Sequence, residues 1–79
     1  GEYMSVTIYS TPTCGYCNVA KKYFKENNVK FTDHNVMINP SKAKEMIDKS
    51  GQHGVPVIDI NGKIIVGFNQ REIEKSLKR

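Results

Sequence analysis

The stretch TPTCGYCNVAKKYF, from Thr11 to Phe24, contains both cysteines of the chain, Cys14 and Cys17. A strand is predicted immediately before it, over Met4–Ser10, because β-branched and polar residues alternate there. A helix is predicted from Cys14 to about Asn27. Its apolar face, at helical spacing, is formed by Cys17, Ala20 and Phe24. The cysteine pair therefore lies where a strand ends and a helix begins.

Turn and capping residues bound the elements that follow along the chain. These elements are a strand over Val29–Val36, a helix from Asn39-Pro40 to Gly51, strands over Val57–Ile60 and Lys63–Val66 around the hairpin turn Asn61-Gly62, and a helix beginning at Asn69. The order is β-α-β-α-β-β-α. A helix between the first two strands makes them parallel, and the hairpin adds two antiparallel strands. We therefore predict an α/β fold with a four-stranded mixed sheet flanked by three helices.

The composition fits one folded domain. Hydrophobic residues make up 38% and charged residues 25% of the 79 residues, which excludes a disordered chain. We expect the domain to span residues 4–79, with a natural start at Met4 and with Gly1–Tyr3 left over from expression. Apolar runs are far shorter than the roughly 18 residues of a membrane span, and a secretory signal is not visible. We expect a cytoplasmic monomer without a membrane partner.

The chain is basic, with a net charge of +4 from 12 Lys and Arg against 8 Asp and Glu. The basic residues are scattered along the chain, and aromatic residues do not alternate with them. This pattern is typical of solvated helix faces and argues against a nucleic acid partner. It is also compatible with electrostatic steering of acidic partners or anionic thiols.

Several structural roles for Cys14 and Cys17 explain the pair poorly. Burial as two small apolar side chains suits Cys17 but leaves Cys14 unexplained. Zinc needs four ligands, and the two histidines, His34 and His53, are too far apart in sequence for a zinc-finger pair. A structural disulfide closing so short a loop adds little stability and is rare inside cells. Redox chemistry is the remaining interpretation.

A cysteine pair at a helix start suits thiol–disulfide exchange. Unpaired backbone N–H groups and the helix dipole favour a thiolate at Cys14. Cys17 lies one turn further along, facing the core, where its thiol is shielded. We therefore predict that Cys14 attacks a substrate disulfide and that Cys17 resolves the mixed disulfide. The spacing C-x-x-C after a strand is typical of thioredoxin-like redox motifs.

Pro56 stands in the segment GVPV, just before a predicted strand. Proline cannot donate a ladder hydrogen bond, so we expect it at the first position of the strand. Because only about 5% of X–Pro bonds in folded proteins are cis, the residues alone predict a trans Val55-Pro56 bond.

Three motifs together, TPTCGYC, GVP and the Gly67-Phe68 pair before the last helix, resemble the glutaredoxin-type members of the thioredoxin superfamily. The resemblance runs from Met4 to Leu77 and implies a thioredoxin fold. It also implies that the bond before Pro56 is cis and that the Val55 backbone pairs with a bound thiol peptide as an added strand. The redox-active disulfide then carries the electrons without a dissociable cofactor, and glutathione is a candidate co-substrate.

The chain also departs from the usual glutaredoxin pattern. Gly15 replaces the usual proline between the cysteines, and Thr11 replaces a common basic residue. Gly67-Phe68 replaces a Gly-Gly pair that holds glutathione, and it resembles instead the small redoxins that donate hydrogen to ribonucleotide reductase. The substrate-binding residues implied by the resemblance are Thr11, Tyr16, Val55, Pro56, Gly67, Phe68, Asn69 and Gln70.

The sequence thus predicts an enzyme of the thiol–disulfide oxidoreductase class. Its expected partners are disulfide-containing proteins or mixed disulfides, with glutathione or a thioredoxin-reductase-type flavoenzyme as the electron donor. One alternative is a hydrogen donor to ribonucleotide reductase that is reduced by thioredoxin reductase. A second is a glutathione-assisted carrier of an iron–sulfur cluster, and a third is a binding module with incidental cysteines.

Overall fold

The structure, a computed structural model, describes residues 5–77 of the chain. Seven elements follow in the predicted order: β1 (Val6–Ser10), α1 (Gly15–Glu26), β2 (Thr32–Asn35), α2 (Pro40–Ser50), β3 (Val57–Ile60), β4 (Lys63–Val66) and α3 (Gln70–Leu77). The predicted remnant Gly1–Tyr3, the predicted strand residue Met4 and the last two residues of the predicted domain lie outside the described residues. Their part of the predicted domain span therefore stays a prediction.

The four strands form one mixed sheet in the order β2-β1-β3-β4. β1 pairs with β2 in parallel, with Ser10 opposite Asn35, and with β3 in antiparallel, with Tyr9 opposite Val57. β4 continues the sheet beside β3, with Val57 opposite Val66. The predicted α/β fold is confirmed. One end of the sheet, called here the cysteine end, is where β1, β2 and β4 finish and β3 begins.

The second strand is shorter than predicted. It begins at Thr32 instead of Val29, because the residues before Thr32 form the turn that ends α1. Asn28 adopts a left-handed backbone conformation, with φ of 57°, and the N–H of Val29 donates to the carbonyl of Phe24 at 2.8 Å. Val29 is thereby buried in the core as the closing residue of the helix turn. The apolar character of Val29 reflects this packing and not strand pairing.

Helices cover both faces of the sheet. On one face, α1 and α3 pack on the strands through a core formed by Val6, Ile8, Ala20, Phe24, Val29, Ile58, Ile60, Ile65, Ile73 and Leu77. On the other face, Met46 of α2 packs with Tyr9 and Val57. The alternation along β1 explains the division, since Ile8 and Tyr9 point to opposite faces of the sheet.

The buried Tyr9 has a polar end, and charged groups around it satisfy the hydroxyl. The Tyr9 hydroxyl donates to the carboxylate of Glu45, and Lys49 donates to the same hydroxyl at 3.0 Å. Lys49 also donates to Asp59 at 2.9 Å. Burial, and then the hydrogen bond to Glu45, raise the pKa of Tyr9. These contacts join α2 to β1 and β3 and hold the helix on the face of the sheet opposite α1.

Short signals in the sequence set the remaining turns as predicted. The side chain of Asn39 accepts from the N–H of Lys42 at the start of α2, and Gly51 ends that helix with φ of 74°. Asn61 and Gly62 both have positive φ in the β3–β4 hairpin. Among the residues that the structure describes, no helix is long and apolar enough to cross a membrane.

A matched pair of Ile→Val substitutions tests the assignment of the core. Ile58 is 0% exposed, whereas Ile38 is 77% exposed. Ile58→Val removes one buried methylene group and should lower the free energy of unfolding by about 0.5–1.5 kcal/mol, while Ile38→Val should leave it nearly unchanged. Urea unfolding followed by circular dichroism measures both. Equal losses in the two variants would contradict the described packing.

Candidate active site

Cys14 is the N-cap residue of α1. After β1 ends, the N–H of Cys14 donates to the carbonyl of Thr11 at 3.3 Å, which closes a tight turn. Cys14 itself has an extended backbone, and its Sγ accepts from the N–H of Cys17 at 3.2 Å. Sulfur thus occupies the place that a Ser or Asp oxygen usually fills at a helix start. The first turn of α1 contains no acidic side chain, and the Cys14 sulfur lies at the positive end of the helix dipole.

Cys17 differs from Cys14 in its surroundings. Its side chain is 0% exposed and lies on the apolar face of α1, whereas Cys14 is partly exposed. Burial, reinforced by the hydrogen bond with Cys14, raises the pKa of Cys17 to about 11. Cys17 is therefore a protonated thiol near neutral pH. Both cysteines are free thiols in this structure, so it describes the dithiol form.

Val55 and Pro56 lie directly beside Cys14. The bond between them is cis, as the resemblance implies, so the trans bond expected from base rates is wrong. Base rates count all X–Pro bonds, whereas tertiary packing decides a particular one. The Cys14 thiol donates to the carbonyl of Val55, with 3.7 Å between sulfur and oxygen. The carbonyl of Pro56 accepts from Gly67 at 2.8 Å, which joins the end of β4 to this loop.

The residues after β4 form the neighbouring part of the cysteine end. Phe68 is partly buried, and its ring packs edge-on against Tyr23 with 5.8 Å between the centroids. The side chain of Asn69 accepts from the N–H of Glu72 at the start of α3. The side chain of Gln70 donates to Glu74 at 2.8 Å. The side chains of Asn69 and Gln70 therefore both hydrogen-bond to residues of α3.

The remaining predicted residues differ in exposure. Tyr16, between the cysteines, is 68% exposed, whereas Thr11 is half-buried and contributes its carbonyl to the turn before Cys14. The structure thus brings all the predicted residues to the cysteine end of the sheet, as the strand order requires. Their individual roles in binding stay predictions.

Two exposed apolar residues at the same end were missed from the sequence. Met37 and Ile38 are exposed and follow Val36, the first residue after β2. The N–H of Val36 donates to the carbonyl of Ser10 at 2.9 Å, which holds this segment beside the end of β1. The available signal was a pair of large apolar residues between a predicted strand and the Asn39 cap. Within residues 5–77, no group of three or more His, Cys, Asp or Glu is arranged to hold a metal ion.

The strand order and helix placement are those of the thioredoxin fold. Among solved structures, the glutaredoxin from Archaeoglobus fulgidus superposes with a TM-score of 0.86 at 20% identity, covering 95% of this chain and 87% of that one. The family model described as Glutaredoxin matches residues 6–65. The chain belongs to the glutaredoxin family.

Three curated relatives place the chain among glutaredoxin-like redoxins. A glutaredoxin-like 8.6 kDa protein in the rubredoxin operon of Clostridium pasteurianum is 49% identical, covering 94% of this chain and 99% of the relative. Glutaredoxin 3 of Escherichia coli strain K12 is 38% identical, covering 80% and 76%. The glutaredoxin-like protein NrdH of Lactococcus lactis subsp. cremoris is 30% identical, covering 89% and 96%.

The contrast between the two cysteines predicts one fast thiol. Iodoacetamide should alkylate Cys14 rapidly near neutral pH, since its sulfur is accessible at the helix start. Cys17 should react slowly, because a pKa of about 11 against the ordinary 9.0 leaves about a hundredfold less thiolate than an ordinary thiol has. Its reactivity should rise as the pH approaches 11. Tandem mass spectrometry locates the label on each cysteine.

The control is the same reaction in guanidinium chloride, where unfolding should make both cysteines react at similar rates. Fast labelling of Cys17 with slow labelling of Cys14 in the folded protein would contradict the assignment of the accessible thiol.

Proposed function

We propose that this protein is a dithiol disulfide oxidoreductase in which Cys14 is the nucleophile and Cys17 the resolving thiol. The observation that supports this proposal best is the asymmetry of the pair. The accessible Cys14 sulfur accepts from the Cys17 N–H at 3.2 Å, and the Cys17 thiol, one helical turn away, is fully buried. Dithiol exchange needs one thiol to react first and the other to stay protonated until the mixed disulfide has formed.

In the first step, the Cys14 thiolate attacks one sulfur of a substrate disulfide. A Cys14–substrate disulfide forms, the substrate S–S bond breaks, and the other sulfur leaves with the electron pair and takes up a proton. The hydrogen bond from the Cys17 N–H and the α1 dipole stabilise the attacking thiolate. Because this stabilisation needs only backbone groups, Gly15 and Tyr16 between the cysteines leave it intact.

In the second step, Cys17 loses its proton and attacks the Cys14 sulfur. The intramolecular disulfide forms, and the substrate thiolate leaves and takes up the proton. Substrate reduction thus transfers two electrons from the pair, which becomes a disulfide. The raised pKa of Cys17 keeps this thiol from attacking the substrate disulfide in place of Cys14.

Peptide substrates fit this site because Val55 offers its backbone beside the reacting sulfur. An extended segment next to the substrate cysteine pairs with that backbone like an added strand. The Val55 carbonyl lies 3.7 Å from the Cys14 sulfur, so the pairing places the substrate disulfide against Cys14. Exposed apolar side chains at the same end, Tyr16, Met37 and Ile38, favour protein disulfides over small polar ones.

Cys17→Ser tests the dithiol mechanism. This variant should accumulate a stable mixed disulfide between Cys14 and a protein substrate, because release needs the second thiol. Non-reducing gel electrophoresis and mass spectrometry detect the trapped complex. Cys14→Ser is the matched control and should trap nothing.

Turnover of protein disulfides by Cys17→Ser at the parental rate would contradict the dithiol mechanism. Absence of any disulfide reductase activity in the parent protein, together with a visible absorption band after anaerobic purification, would support the cluster-carrier alternative instead.

The electron donor that the site favours is a thioredoxin-reductase-type flavoenzyme. Glutathione carries two carboxylates, whose binding needs positive charge or free hydrogen-bond donors. Thr11 supplies no charge, Phe68 is packed on Tyr23, and the side chain of Gln70 donates to Glu74. The Gly67-Phe68 pair also resembles the redoxins that supply ribonucleotide reductase, which makes that enzyme the second candidate substrate.

The donor proposal predicts that NADPH with thioredoxin reductase reduces the oxidised protein faster than NADPH with glutathione and glutathione reductase. Loss of one or two charge-assisted contacts should weaken glutathione binding by about tenfold to a few hundredfold. Thr11→Lys should raise the rate with glutathione, whereas Thr32→Lys, at the far end of β2, adds the same charge and should not. Faster reduction of the parent protein by the glutathione system would contradict the proposal.

A further inference from the structure

A basic groove runs along α1 beside β2. It encloses an open volume of about 540 Å³ and is lined by Asn18, Lys21, Lys22, Lys25, Phe31 and Asp33. This set of residues is called here the α1–β2 groove. The volume is comparable with that of sites that hold small molecules or a few peptide side chains.

The charges lining the groove do not balance. Lys21 and Asp33 form an ion pair at 3.1 Å, and Ser10 donates to the other oxygen of Asp33 at 2.6 Å. Among the described residues, Lys22 and Lys25 have no acidic group within 4.0 Å, although Glu26 follows on the same helix. Two positive charges therefore remain in the groove without a partner in this part of the chain.

The groove also has an apolar side. Phe31 is half-buried, and its ring lies against the fully buried Phe24, with 5.8 Å between the centroids. Part of the Phe31 ring remains available to a ligand. A positive rim beside an aromatic surface fits a polypeptide with acidic side chains better than it fits a small inorganic anion.

Helix geometry connects this groove with the reacting sulfur. Cys14, Asn18, Lys21 and Lys25 are spaced by four, three and four residues and so form one stripe along α1. The N–H of Asn18 donates to the carbonyl of Cys14 at 3.2 Å, in the first turn of the helix. A chain joined to Cys14 that continues along this stripe enters the groove within one helical turn.

We propose that the α1–β2 groove binds an acidic segment next to the reacting cysteine of the protein substrate. One side of the substrate cysteine pairs with Val55, and the other side lies along α1 with its carboxylates beside Lys22 and Lys25. The proposal rests on the proposed oxidoreductase function and names the class of substrate that the function favours. Opposite charges across such an interface act mainly on substrate selection and association rate.

The test uses two peptides, each with one cysteine in a mixed disulfide with thionitrobenzoate. One peptide carries Asp and Glu on one side of the cysteine, and the other carries Asn and Gln at the same positions. Release of thionitrobenzoate in a single turnover, with the reduced protein in excess over the peptide, measures the second-order rate constant for each peptide, while the Cys14/Cys17 pair becomes a disulfide. The parent protein should prefer the acidic peptide by about tenfold at low salt, and high salt should reduce that preference.

The variants separate the groove from overall charge. Lys22→Glu with Lys25→Glu should abolish the preference. Lys44→Glu with Lys75→Glu, on exposed positions of α2 and α3, gives the same net charge and should retain it. The Lys44→Glu/Lys75→Glu variant should also reduce uncharged hydroxyethyl disulfide at the parental rate. Lack of a preference in the parent, or equal loss of it in the two double variants, would overturn the proposal.

A direct binding measurement keeps failure of the groove distinct from failure of the enzyme function. The acidic peptide with serine in place of its cysteine should shift the backbone amide resonances of Lys22 and Lys25, even if the parent protein released no thionitrobenzoate from any disulfide. Absence of those shifts would overturn the groove whatever the activity. Equally tight binding of a short oligothymidylate would assign the groove to polyanions in general and would also overturn it.

Discussion

The hydrogen bond from the N–H of Cys17 to the sulfur of Cys14, at 3.2 Å, joins the fold to the proposed chemistry. The same contact caps α1 and holds the sulfur that we propose as the nucleophile. Because the sulfur itself is the cap, a substitution at Cys14 changes the start of the helix and the proposed chemistry together. A Ser or Asp would cap the helix equally well but would supply no thiol.

The position of β1 in the middle of the sheet explains why several segments of the chain meet at the cysteine end. Because β1 pairs with β2 in parallel and with β3 in antiparallel, three connections meet where β1 ends. Cys14 follows β1, Met37 follows β2, and Val55 precedes β3. The Gly67 N–H then donates to the Pro56 carbonyl at 2.8 Å and brings the end of β4 to the same place. A polypeptide that reaches Cys14 therefore meets four separate segments of the chain at once.

Local signals were sufficient to predict most of the fold. The helix bounds at Asn39 and Gly51 and the hairpin at Asn61-Gly62 follow from capping and turn chemistry, which involves only neighbouring residues. Val29 was misread, because a buried apolar residue after a helix looks the same in sequence as the start of a strand. Its role depends on the core beneath α1, which local patterns do not report.

The candidate site was predictable where backbone geometry decides it and not where packing decides it. The position of Cys14 follows from the strand–helix junction alone. Only the resemblance predicted the cis bond before Pro56, whereas the frequency of cis X–Pro bonds predicted the trans isomer. Whether Phe68 faces a ligand or the core depends on its contact with Tyr23, a residue 45 positions earlier. Met37 and Ile38 were not predicted as site residues, because two apolar residues between elements are too few to show a periodicity.

Selectivity between glutathione and a polypeptide is a difference of two affinities, and the described contacts act on both. The proposed pairing with the Val55 backbone would be open to either ligand, since backbone pairing does not depend on side chains. Thr11 stands where a basic residue is common, and Phe68 stands where the second glycine of a Gly-Gly pair is usual, and we propose that both changes weaken the binding of glutathione. Lys22 and Lys25, which have no acidic partner among residues 5–77, lie along α1 beyond Asn18, where we propose that a longer chain reaches them. On the proposed model, binding strength therefore comes less from the immediate surroundings of Cys14 and more from the α1–β2 groove, a surface that a polypeptide can reach and glutathione cannot, and this would favour protein disulfides.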